Sequence, residues 1–159
     1  MSESMQAAGR KLITEGERIL QRDVQGALNE KDFNLAVRRA QEVVELALKG
    51  ALKVLGVDYP KVHDVAPVFS EQLRQKRNSA DAQVLERIEE ISLWLAQARA
   101  PAFYLEREYT SEDAQQASQD AGFVVEAVRS LLGLADEEKK NESTNEGEDS
   151  TEEGNNTAS

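Results

Sequence analysis

The sequence has 159 residues, room for one hydrophobic core and little more. Hydrophobic residues make up 40% and aromatics only 5%, and there is no cysteine, which excludes disulfides and thiolate metal sites and favours helix over sheet. The net charge of −11 excludes a chain that holds nucleic acid by its overall charge, because such affinity comes largely from neutralising phosphates. That charge is unevenly spread. Residues 136–159 carry nine carboxylates against Lys139 and Lys140, a balance of −7 that leaves −4 for residues 1–135.

Residues 7–29 read as a first helix, with Leu12, Gly16, Ile19, Leu20, Val24 and Ala27 on one face. The second helix is the clearest. Asp32 caps it before Phe33, Gly56 stops it after Leu55, and Phe33, Ala36, Val37, Ala40, Val44, Ala47, Leu48 and Ala51 form a stripe wide enough for two neighbours. Residues 57–63 read as a loop, since Pro60 biases Tyr59 away from helix. Asp64 is expected to cap a short third helix, with Pro67 in its first turn.

A fourth helix restarts at Asp81 and repeats Val84, Leu85, Ile88, Ile91, Leu95 and Ala98, with Pro101 as its expected end. After a connector bearing Phe103, Tyr104 and Tyr109, the run Thr110-Ser-Glu-Asp113 opens a fifth helix as a capping box. Ala114, Ala117, Ala121, Val125, Val128 and Leu132 give it a small-residue face, and Gly133 ends it. The expected architecture is all-α, a five-helix up-and-down bundle over residues 1–135. Residues 136–159 have too few apolar side chains to offset ordering entropy and read as a disordered acidic tail. No apolar run approaches the ~20 residues of a membrane span, and Met1-Ser-Glu-Ser-Met-Gln lacks a basic-then-apolar leader, so a cytoplasmic protein without a membrane partner is expected.

Three segments, taken in order, carry a family resemblance. The stretch 38–56, Arg-Arg-Ala-Gln-Glu-Val-Val-Glu-Leu-Ala-Leu-Lys-Gly-Ala-Leu-Lys-Val-Leu-Gly, resembles the second helix of HEPN domains. Tyr59-Pro-Lys-Val-His-Asp64 is similar to the family's Pro-x-x-His-Asp turn, and Arg99-Ala-Pro101 with Tyr109-Thr-Ser-Glu-Asp-Ala114 resembles its Arg-Tyr-Pro and Tyr-Thr-x-Glu-Asp-Ala segments. The resemblance spans roughly residues 7–133. It implies a helical bundle, commonly a homodimer, of a kind found beside minimal nucleotidyltransferases, in toxin–antitoxin pairs and as metal-independent ribonucleases.

The nuclease branch has an Arg followed by four to six residues and then a His. The only His here is His63, and positions 56 to 58 hold Gly56, Val57 and Asp58, so that motif is absent. No catalytic residue, metal site or cofactor is therefore expected, and one His without clustered partners makes a poor metal site. The resemblance instead implies a nucleotide- or partner-binding module, with RNA, a nucleotide or a nucleotidyltransferase as the ligand. Arg39, Lys49, His63, Arg99 and Tyr109 are the candidate ligand-binding residues. Each has a plain structural reading beside it. His63 can be a helix-start residue, Lys49 part of a solvated stripe with Arg38–Glu42 and Glu45–Lys49 pairs, Arg99 a cation at a helix C-terminus, and Tyr109 a plug over the core. Trp94 and Phe123 stand off their helices' main stripes, which marks them as candidate dimer contacts. Two alternatives remain: a ribonuclease whose His63 and Arg99 converge across the fold, and a helix-bundle interaction protein without a ligand.

Overall fold

The structure, a computed structural model, describes residues 2–77 and 80–134. The acidic segment 136–159 lies outside the described residues. Helix α1 (Ser2–Ile19) passes through a single π-helical stretch, Leu20–Val24, into α2 (Gln25–Asn29). The residues at both junctions keep right-handed helical angles, so the three pieces form one rod. It begins before residue 7, where Glu3, Met5 and Gln6 are good helix formers that add no apolar repeat.

Helix α3 (Phe33–Val54) follows a turn in which Lys31 takes positive φ. The Asp32 carboxylate accepts from the Leu35 N–H at 3.2 Å, as expected of the cap. At the other end Gly56 sits at φ 79, and the Val57 N–H reaches back to the Leu52 carbonyl at 2.9 Å, closing a Schellman turn. The α3 stripe is the axis of the fold. Its apolar stripe meets α1, α5 and α6, and Ala36, Val37, Ala40, Val43, Ala47, Leu48, Ala51 and Leu52 are completely enclosed.

Helix α4 (Ala66–Lys76) brings Phe69 and Leu73 to the core, and α5 (Ala82–Phe103) brings Leu85, Ile88, Ile91 and Leu95. Each such fully buried side chain contributes roughly 1.5–3 kcal/mol. Helix α6 (Ser111–Leu132) opens with the complete Thr110–Asp113 capping box, and its alanines let it lie close on α3. With the α1–α2 rod counted once, the described chain is an all-α five-helix bundle.

Three expectations need correction. Asp64 does not cap α4. Val65 holds that position without a side-chain bond, and the Asp64 carboxylate accepts from the buried Ser92 hydroxyl at 2.7 Å. Pro101 does not end α5, which runs on to Phe103. A proline in the last turn forfeits one N–H bond, and burial of Ala98 and Ala102 on the same helix outweighs that loss. The first helix's buried face also includes Gly9 and Ile13, because α1 crosses α3 where Gly9 meets Gly50. A Cβ built on either glycine would lie 2.5 Å from the other's carbonyl oxygen.

Candidate functional site

The Asp64–Ser92 hydrogen bond decides where the α3–α4 loop sits. It pins the loop against α5, carrying His63 to the side of α5 that bears Arg99. Arg38, in the second turn of α3, completes the set. Together with Ala96, Ala100, Phe103 and Tyr104 these residues line a cavity of about 340 Å³. That is at the small end of the roughly 300–1,000 Å³ typical of small-molecule sites.

Polar side chains on α3 tie the cavity's edge together. The buried Gln41 donates its amide N–H to Glu45 at 3.2 Å and accepts from the Arg99 guanidinium at 2.9 Å, linking α3 to α5. Glu42 lies among three guanidinium groups: Arg39 at 2.7 Å, and Arg38 and Arg99 each at 3.7 Å. Glu45 faces the Lys49 ammonium at 3.3 Å and His63 Nδ1 at 2.5 Å. Burial pushes the Glu45 carboxyl up, but hydrogen bonds from His63 and Gln41, with the Lys49 and His63 charges, outweigh it. The net effect holds Glu45 below the usual glutamate range. Near neutral pH it is an acceptor, so the His63 ring donates to it from Nδ1.

Arg38, Arg39, Arg99 and Lys49 gather around Glu42 and Glu45, with Asp23 also facing Arg39, so cations outnumber carboxylates in the cluster before His63 is counted. The aromatic side is exposed. The Arg38 guanidinium lies 4.2 Å over the Phe103 ring, and Tyr104 meets Phe103 edge-on at 4.8 Å. Tyr104 is 67% exposed, so its ring is open to a flat partner.

Of the sequence-derived candidates, His63 and Arg99 line the cavity. Arg39 and Lys49 support it from behind as partners of Glu42 and Glu45, and Lys49 also lies 5.1 Å over the Tyr59 ring. Tyr109 is elsewhere. It is 8% exposed, its hydroxyl points to the Ala98 carbonyl at 3.5 Å, and burial raises its pKa. It borders a second cavity with Trp94, Pro101 and Arg107, away from the one that Arg99 lines. Trp94 is partly buried and donates its indole N–H to Asp120 at 2.9 Å. Phe123 stays 38% exposed, in a shallow groove with Val84, Ala127 and Leu131.

Arg38, Gln41 and Phe103 were not among the candidates. Gln41 left a signal, a lone amide inside an otherwise apolar stripe. Arg38 left none that separates it from a solvated ion pair.

Among the described residues no group of three His, Asp or Glu side chains gathers as a metal set, and no helix is long and apolar enough to cross a membrane. The HEPN domain family model matches residues 10–131. The chain belongs to the HEPN family. No curated protein and no solved structure matches it. The HEPN match runs from α1 to the last turn of α6, so every element bordering the cavity falls within the domain.

Proposed function

We propose that this HEPN domain is a non-catalytic binding module that takes a nucleotide in the Arg38–His63–Arg99 cavity. The observation that carries this reading is the convergence of two guanidinium groups and an imidazole beside the exposed rings of Phe103 and Tyr104. Arginine forks suit phosphate oxygens, and an open tyrosine face suits a base. Pairing with a nucleotidyltransferase, which consumes or presents nucleotides, fits such a site.

The test is a calorimetric titration with nucleoside mono-, di- and triphosphates. Arg38→Ala should weaken binding about tenfold or more, the loss of one charge-assisted contact, with little change in fold because Arg38 is partly exposed. Unchanged affinity in Arg38→Ala would remove phosphate recognition from this cavity.

A ribonuclease reading has one observation in its favour: His63 and Arg99 do share the cavity. RNA transesterification needs a base and an acid in turn, and His63 is the single histidine in the sequence. Absence of metal-independent cleavage of single-stranded RNA is the expected outcome. Cleavage abolished by His63→Ala would reverse the assignment.

The same module is proposed to work as a homodimer that covers Phe123. Truncation to Phe123→Ala should lower the association constant while costing well under the ~3–5 kcal/mol of a core phenylalanine. Sedimentation across a concentration series reads association, and unfolding at low and high concentration reads stability. A wild-type chain still monomeric at high micromolar concentration is the result that removes the dimer.

A further inference from the structure

We infer that the acidic segment 136–159 is an intramolecular occupant of the Arg38–His63–Arg99 cavity and competes there with phosphate-bearing ligands. This rests on the phosphate-binding reading of the cavity.

The charge argument comes first. Residues 1–135 carry −4, already within the range of roughly 2–8 charges that keeps a small domain soluble. A further −7 concentrated in 24 residues is more than solubility requires. The cavity is the complementary partner, a locally cationic cluster on an otherwise acidic domain. A glutamate carboxylate presents two oxygens to an arginine fork much as a phosphate does, and Glu42 already sits among three arginines here.

Reach comes second. The chain leaves the bundle at Leu134, past the end of α6, whereas the cavity lies at the other end of that helix, beside the close of α5. The 22 residues of α6 separate the two ends by about 33 Å. The residues after Leu134 span up to about 80 Å when extended, so the carboxylates from Glu148 to Glu153 come within reach of the cavity in a partly extended tail. Tethering also holds them at a high effective concentration, so weak individual contacts suffice.

Occupancy by the tail lowers apparent ligand affinity by the fraction of cavities left open. It is also sensitive to salt, since the Debye length falls from about 10 Å at 0.1 M to about 3 Å at 1 M.

The experiment uses the full-length chain and inorganic pyrophosphate. The sequence has no cysteine, so Ser150→Cys accepts a single spin label, and His63 gives one imidazole signal. At low salt the label should broaden the signals of His63, Ala96 and Ala100 selectively, and pyrophosphate should relieve that broadening. Replacing the nine tail carboxylates by their amides should abolish the broadening and tighten pyrophosphate binding about three- to tenfold, with the difference closing in high salt. Absence of selective broadening at the cavity overturns the proposal, even if affinity rises, because a long-range field alone would produce that rise. If pyrophosphate binds both forms equally and no broadening is seen, the tail proposal fails and the cavity reading stands. If broadening is present but pyrophosphate shifts no cavity signal, the tail contact stands and the phosphate reading fails.

Discussion

Gly50→Ala should destabilise the bundle by about 3 kcal/mol, at the upper end of what overpacking costs. The added Cβ would stand 2.5 Å from the Gly9 carbonyl oxygen, 2.9 Å from Ile13 Cγ1 and 3.0 Å from Leu12 Cβ. The nearest of these is backbone, which no rotamer change can move, so α1 must back away from α3 along their main contact. Helix propensity works in the opposite direction and returns up to about 1 kcal/mol. Gly26→Ala makes the control, because a Cβ there meets nothing within 4 Å. That change should stabilise by up to the same ~1 kcal/mol. Urea unfolding of the two variants therefore gives opposite signs for one chemical substitution. Equal, small effects would show that α1 and α3 do not cross as closely as Gly9 and Gly50 indicate.

Asp120→Ala is the second large effect, with an expected loss of about 3 kcal/mol. The carboxylate is 5% exposed and accepts from Arg87 at 2.9 Å, Trp94 Nε1 at 2.9 Å and Gln116 at 2.8 Å. Alanine strands the partly buried indole N–H, whereas the Arg87 guanidinium, 44% exposed, and the amide of the exposed Gln116 regain water and limit the loss. Asp120→Asn keeps one acceptor and should cost less. Trp94 is the only tryptophan in the sequence, so its fluorescence reports this site alone, and a red shift in Asp120→Ala should accompany the lower midpoint. A loss below about 1 kcal/mol would mean that water already serves the three donors.

That ion pair also bears on Trp94. Its displacement from the α5 stripe reads from sequence as a surface for another chain, yet Asp120 on α6 holds the indole N–H. Phe123 is displaced in the same way and remains open. Helical phase distinguishes a side chain from its own helix's core stripe, but not whether a neighbouring helix will cover it.

Helix boundaries set by local bonds were legible. Asp32 to Leu35, Thr110 with Asp113, and the turns at Gly56 and Gly133 each involve residues within a few positions of one another. Asp64 and Pro101 obey the same local rules on paper and break them in the fold. A buried Ser92 hydroxyl on α5 claims the Asp64 carboxylate, and core contacts of Ala98 and Ala102 carry α5 through the proline.

By itself the sequence determined the all-helical class, the caps, the wide α3 stripe, the acidic bias of residues 136–159 and, through three short segments, the HEPN family. All of these depend on composition or on spacings of a few residues, where backbone geometry alone relates one side chain to the next. Only the tertiary structure decided that Arg38, His63 and Arg99 share a cavity while Tyr109 faces a different one. That outcome depends on how α3 and α5 are rotated about their axes and where the loop after Gly56 is pinned. Those rotations follow from packing summed over the whole core, including the glycine crossing of α1 on α3, and no pair of nearby residues encodes them.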